Sequence, residues 1–327
     1  RAAIVAAAPG VAFCAALAPV GYLLSRAQSS VPVSPMMYAI GLAIAYSSLA
    51  GPPAWARAGN AFTLRRLLRF AIVLLGLQLT AADVGLLGVG AVAVVFAALA
   101  ATFLVTRRLG RLLGVEPGLS ELIASGTAIC GASAIVATNS VTRAPQEDVI
   151  YSVACVTFFG TLAMFALPAL YQPLALSAQE YGLWAGGSIH EVAQVVAAGF
   201  QVGQAEGETA MVSKLLRVAA MAPMILWLGA ARRGKSDGPA PPIPWFVVGF
   251  AAVIILNSAL DVPAAVRQGA QLLTVFLLTM SLAALGLETD LRKLRLKGPR
   301  PLALGAAAWL FVMGAMLLGV FLLRAFA

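Results

Sequence analysis

Charge is what this chain has least of. Only 11% of its 327 residues are charged while 61% are hydrophobic, and the mean hydropathy is +0.92. A soluble domain carries roughly a quarter charged residues, so an ordinary water-soluble fold is excluded. Histidine occurs once, at His190, which leaves no second imidazole for a metal site. The three cysteines (Cys14, Cys130, Cys155) form no CxxC pair and each lies in an apolar stretch. Neither a disulfide framework nor a metal cluster is expected from them. No GxxxxGK(S/T) phosphate loop occurs, which removes ATP hydrolysis as an energy source. Polar connections are short, and no soluble domain fits between the apolar runs.

What is present is a succession of apolar runs, each at about 18 residues or more long enough to cross a hydrocarbon core. They predict an all-α integral membrane protein with about 11 transmembrane helices. These lie near 3–25, 33–51, 66–82, 86–106, 119–138, 148–172, 178–200, 208–230, 243–261, 266–287 and 300–325. Residues 1–327 read as a single polytopic membrane domain with approximate halves 33–172 and 178–325. The first run has the length of a genuine helix rather than a leader.

The net charge of +9 comes from Arg and Lys set between the runs, where they fix orientation instead of binding nucleic acid. Four clusters fall on one side of an eleven-span count: Arg57 to Arg69, Arg107 to Arg111, Arg232 to Lys235, and Arg292 to Arg300. That side is the cytoplasm, which places the N-terminus inside and the C-terminus outside. Arg26, Arg143, Arg267 and the acidic QAEGE (204–208) fall outside, and Arg143, Glu147 and Asp148 read as an ordinary outer loop.

Two runs are poor in side-chain bulk. GTAICGASAIVA (126–137), followed by Thr138, Asn139 and Ser140, and GGSIHEVAQVVA (186–197) gather glycine and polar residues where lipid-facing helices carry neither. A membrane helix interrupted in this way needs partners for its freed backbone groups, and finds them beside a cavity or a ligand. Gly126, Ile129, Val136 and Ala137 align with Gly186, Ile189, Val196 and Ala197. One span separates the two runs, so a simple count makes them parallel; chance, a re-entrant segment or a miscount by one all remain open. A better candidate for an inverted repeat pairs the corners AIVLLGLQLTAADV (71–84) and SLAALGLETDL (281–291), with GLAIAYSSLAG (41–51) and GFAAVIILNSA (249–259) upstream.

Within these runs, Thr127, Cys130, Gly131, Ser133 and Asn139 form a polar cradle. A break between the glycines would aim a half-helix N-terminus, with its partial positive charge, at an anion; close helix packing is the plainer alternative. Ser188, His190 and Gln194 join the candidate substrate contacts, with Glu191 as the group that couples transport to a proton. An ionisable pair inside the membrane is functional by default, although a bonded pair pinning two helices is the competing reading. HEVAQ (190–194) lacks the second histidine of the HExxH zinc-protease signature, so an enzyme is not expected. Lys214 and Arg217 share a helix face at i, i+3 spacing. Lys214 reads as a snorkelling side chain and Arg217 as a deeper, substrate-facing cation. Gln78, Glu288, Asn257 and Glu121 are secondary candidates, while Asp83 and Asp290 read as helix caps.

SGTAICGASAIVA (125–137), GGSIHEVAQVVAAG (186–199), LLGLQLT (74–80) and VSKLLRVAAMAP (212–223) together resemble the YeiH-type family of bacterial inner-membrane proteins, for which sulfate or sulfonate export is proposed. LLGLQLTAADV followed by a span and a broken helix looks, more remotely, like the sodium/bile-acid symporter superfamily. That likeness implies an inverted-repeat transporter with core and panel domains and discontinuous helices, although the order of the pieces here departs from its pattern. The resemblance implies a multi-pass protein of the bacterial inner membrane. Its expected activity is secondary active export of a small anion by alternating access; the alternative is a cation/proton antiporter of related fold. Expected partners are the anion and the lipid bilayer, with a homodimer as the oligomeric expectation. No cofactor is expected beyond coupling to sodium or protons.

Overall fold

The structure, a computed structural model, describes residues 2–27, 33–85, 87–231, 245–260, 262–289 and 297–326. Among them every regular element is helical. In chain order these are α1 (Ala2–Ala27), α2 (Pro35–Ala50), α3 (Arg57–Phe62), α4 (Leu68–Leu75), α5 (Ala81–Gly85), α6 (Gly88–Leu112), α7 (Pro117–Ala128), α8 (Ala132–Thr142), α9 (Gln146–Tyr171) and α10 (Ala178–Ser188). There follow α11 (Val192–Val202), α12 (Gln204–Ala219), α13 (Met221–Ala231), α14 (Trp245–Ala259), α15 (Ala264–Glu288) and α16 (Pro299–Phe326). Six described helical stretches are long and apolar enough to cross a membrane: α1, α6, α9, α12 with α13, α15 and α16. The residues fall into two compact units, one formed by residues 1–86 and 245–290 and the other by 87–244 and 291–327.

In the first unit, glycines let α4 and α15 end in close contact with helices distant in sequence. A methyl group on Gly76 would lie 2.9 Å from the Phe250 carbonyl and 3.1 Å from the Val253 side chain; one on Gly286 would lie 2.8 Å from the Ile40 carbonyl and 2.6 Å from Ala43 Cβ. Past each corner a polar side chain takes up a freed carbonyl. Asn257 Nδ2 donates to Leu79 O at 2.9 Å, and Ser47 Oγ donates to Thr289 O at 2.7 Å. One constant spacing separates 40 from 250, 43 from 253, 47 from 257, 76 from 286 and 79 from 289. The contacts thus agree with the GLQLT and GLET corner alignment, and shift the upstream alignment by two residues, so that Ser47 answers Asn257. Of the acids at these corners, Glu288 Oε1 accepts from Asn60 Nδ2 at 3.4 Å; Asp290 and the Asp83 side chain lie outside the described residues.

The second unit corrects the reading of 119–138 and 178–200 as simple spans. Each run is a helical hairpin. Helix α8 folds back along α7, so that a methyl on Gly126 would fall 2.8 Å from Ile135 Cδ1, and one on Gly118 only 3.3 Å from Ala144 Cβ. Leu122, Ile135, Val149 and Val156 pack together, tying both limbs to α9. Helix α11 folds back along α10, with Tyr181 Oη donating to Ala198 O at 3.0 Å. Both limbs of this second hairpin lie against α12: a methyl on Gly186 would strike Ala210 O at 2.1 Å, and one on Gly199 would lie 2.7 Å from Gly207 Cα.

Helix α9, about 39 Å long at 1.5 Å per residue, separates the bases of the two hairpins. At its start, Asp148 is buried and bonded to Lys297 at 2.8 Å, with Glu147 at 3.7 Å from the same ammonium. At its end, the Tyr171 ring lies 5.1 Å from that of Tyr181, and Tyr171 Oη donates to Glu206 at 3.0 Å. The hairpins therefore enter from opposite ends of α9, and their tips meet near its middle, at Thr157. Asp148, expected in an ordinary outer loop, is instead a buried anchor, and it joins Lys297, which the eleven-span count placed on the other side.

Candidate functional site

Each hairpin turns over at three residues, Ile129-Cys130-Gly131 and Ile189-His190-Glu191. The break leaves four half-helix ends at one place, the C-termini of α7 and α10 and the N-termini of α8 and α11. Helix C-termini carry partial negative charge and unsatisfied carbonyls, and N-termini the reverse.

Two cations from α12 take up the carbonyls. Arg217 Nε donates to Ala128 O at 2.9 Å, and Nη1 to Gly187 O at 2.6 Å and to Ile189 O at 3.3 Å. Its Nη2 donates to Thr127 O. Lys214 Nζ donates to Ile129 O at 2.7 Å and Ile189 O at 2.8 Å. Both side chains are completely buried, at 0% and 1% exposure, so Lys214 does not snorkel to an interface and Arg217 is committed to backbone. Such charge-assisted bonds contribute about 1.5–3 kcal/mol each.

The N-terminal ends are treated unequally. Glu191 is the N-cap of α11, and its amide donates to Gln194 Oε1 at 3.1 Å. Gln194 Nε2 in turn donates to Thr157 O and Thr161 Oγ1, both at 3.1 Å. Thr157 Oγ1 donates to Glu191 Oε1 at 2.8 Å. Gly131, whose φ of 70° suits glycine, is the N-cap of α8 and has no side chain to cap it; the Cys130 thiol meets the Ala134 amide in the first turn. A methyl on Gly131 would lie 2.7 Å from Glu191 Cγ and 3.3 Å from Oε1, so one carboxylate lies beside both N-termini. Ser133 in the first turn of α8 is exposed and Ala132 is half-buried. That end is therefore reachable.

The expected site residues separate accordingly. Thr127, Cys130, Gly131, Ser188, His190, Glu191, Gln194 and Arg217 come together at the tips, with Ser133 at their edge. Asn139 does not join them. It sits at the base of the first hairpin, where Oδ1 accepts from Thr142 Oγ1 at 3.0 Å and Ala144 N at 2.8 Å. His190 is completely buried, and neither ring nitrogen bonds to another described residue; Thr127 Oγ1 and Ser188 Oγ share that condition. Glu121 pairs with Arg107 at 3.0 Å, away from the tips. Thr157 and Thr161 were not singled out from sequence. They lie on α9 in an otherwise apolar run, and only the fold reveals what they face.

The chain matches the family model described as conserved hypothetical protein 698 over residues 9–305. It is 39% identical to a UPF0324 membrane protein of Pseudomonas aeruginosa, covering 94% of this chain and 93% of that one. It is 37% identical to the UPF0324 membrane protein TauZ of Paracoccus denitrificans, covering 99% and 97%. The same identity relates it to the UPF0324 inner membrane protein YeiH of Salmonella typhi over 86% and 84%. With its motifs, its helical membrane architecture and these matches in agreement, the chain belongs to the YeiH-type family of UPF0324 membrane proteins.

Proposed function

We propose that this protein is a secondary active transporter that moves a small anion, of the sulfate or organosulfonate class, across the bacterial inner membrane by alternating access. The observation that carries this reading is the reachable N-terminus of α8, with Gly131 as its N-cap and Ala132 and Ser133 at its open edge, at the hairpin tips beside Glu191. Backbone N–H groups at a helix N-terminus, with its dipole, suit a tetrahedral oxyanion. The same place accommodates an anion poorly while the Glu191 carboxylate is charged, because two like charges would share one receptor. Protonation of Glu191 frees the receptor, which couples anion and proton. His190, Ser188 and Thr127 line the buried side of this centre.

Relatives named as membrane and inner membrane proteins support the location. We read the topology as nine crossings and two re-entrant hairpins, in two inverted halves. The hairpins return to the side they enter, so all four basic clusters keep their side and the N-in orientation is compatible with the change in span number. Non-helical backbone at membrane depth is tolerated where it is buried in protein or lines a polar cavity, as at these tips.

The test is counterflow in proteoliposomes with labelled sulfate and small sulfonates. Uptake that falls at least tenfold in Glu191→Gln, or loses its pH dependence there, is expected. No anion uptake across the panel, together with proton-driven sodium or potassium flux, would replace this reading with a cation/proton antiporter.

A further inference from the structure

The carbonyls of Ile129 and Ile189 occupy equivalent places in the two hairpins, one residue beyond α7 and α10. Neither residue is helical: Ile129 has φ −115° and ψ −89°, Ile189 φ −67° and ψ 145°. The breaks thus turn these two oxygens out of their helices and toward each other. Between them sits a single atom, Lys214 Nζ, 2.7 and 2.8 Å away. Arg217 already takes the carbonyls of Thr127, Ala128 and Gly187 and reaches that of Ile189 at 3.3 Å, so capping of the last helical turns does not require the lysine. What Lys214 adds is a compact point charge at the unwound carbonyls, the kind of oxygen pair that holds a coupling sodium in broken-helix carriers. Glu191, pinned by Thr157, lies one residue beyond the Ile189-His190 turn and supplies the nearby negative charge.

We infer that the hairpin tips form a monovalent-cation site, of the sodium class, and that the Lys214 ammonium occupies it as a cation tethered to the chain. This deepens the transport reading by removing sodium from the coupling scheme: the position such an ion would take is already filled. It also explains why a strongly hydrated ammonium is buried completely, since without it Ile129 O would lose its donor and Ile189 O would keep only the long 3.3 Å bond from Arg217 Nη1.

The experiment uses the full chain in detergent, with Lys214→Ala and Lys214→Gln. Equilibrium binding of ²²Na⁺ and melting temperature are measured in sodium chloride against choline chloride at equal ionic strength. Wild type should bind no sodium and melt alike in both salts. Each variant should bind about one sodium per chain, melt several degrees higher in sodium than in choline, and, where choline leaves it unfolded, be recovered as folded protein in sodium. Variants that bind no more sodium than wild type overturn the inference, as does failure to fold in either salt. Saturable sodium binding by the wild type overturns it equally. None of these results depends on which anion the wild type carries, so the counterflow assay can fail while this one succeeds, and the reverse.

Discussion

At the scale of single residues, the asparagine and the lysine teach opposite lessons. Asn139 carries a polar side chain in a polar-rich run, and composition alone cannot separate a ligand contact from a turn. The structure gives it a turn: two donors, Thr142 Oγ1 and Ala144 N, converge on its Oδ1. Asn139→Ala should therefore cost about 2 kcal/mol, near 1 kcal/mol per lost bond, read as a lower melting temperature, while anion affinity by equilibrium dialysis stays unchanged. A tenfold loss of affinity at unchanged stability would return Asn139 to the site. Lys214, by contrast, was visible as an intramembrane cation at i, i+3 from Arg217, but its depth was not. Snorkelling depends on where a helix lies among its neighbours, and the fold buries this side chain against the hairpin tips. Lys297 completes this scale. It lies outside the helices, and the neighbouring Asp148 carboxylate holds its ammonium above the ordinary lysine range. A raised lysine contributes stability that is full below the unfolded value and disappears only as pH rises through the folded one. Lys297→Met should thus lower the melting temperature equally at pH 6 and pH 8, with part of the loss restored by adding Asp148→Asn in a double-mutant cycle.

At the scale of elements, glycine was the most legible letter. The sequence aligned the GLQLT and GLET corners, and the fold shows what glycine does in both: a helix backbone carbonyl lies where a side chain would begin. Gly76→Val and Gly286→Val should each destabilise their corner by about 1–3 kcal/mol through overpacking, with similar losses in chemical denaturation because the contacts are counterparts. A loss confined to one of them would argue that the correspondence is accidental. The hairpins were less legible. Apolar periodicity reports that a helix is buried but not the direction it takes after a break, and a run of about 20 apolar residues fits a crossing and a folded hairpin equally. Gly131 was the available clue, since its positive φ marks a turn that a continuous helix lacks. Gly131→Ala should strain that turn by roughly 1–2 kcal/mol and press on Glu191. Its signature is a changed pH profile of transport beyond any change in melting temperature.

For the whole molecule, the proposed nine-crossing topology leaves most of the orientation expected from the eleven-span count unchanged. In that proposed topology two re-entrant hairpins each remove one crossing, and their effects on every later loop cancel. Only the segment between them changes side, which moves Arg143, Glu147 and Asp148 to the face of Lys297. Single cysteines at Arg143 and Arg300 should therefore react with a membrane-impermeant maleimide from one side of oriented vesicles, and cysteines at Gln172 and Gln204 from the other. The three native cysteines are buried and give a low background. Labelling of Arg143→Cys and Arg300→Cys from opposite sides would restore a simple crossing for 119–138.

The attachment of the two cations has one more outcome. Lys214 and Arg217 belong to α12, which runs along both limbs of the second hairpin, while they reach the first hairpin through the carbonyls of Thr127, Ala128 and Ile129. The second hairpin and α12 form one piece, and three bonds from these two side chains act as rivets at the tip of the first hairpin, beside the packing of both hairpins on α9. A parting line is thereby drawn through the centre of the unit. Any excursion that separates the tips must break those bonds first, at about 1.5–3 kcal/mol apiece, so the two hairpins part at their tips only at the expense of the α12 cations.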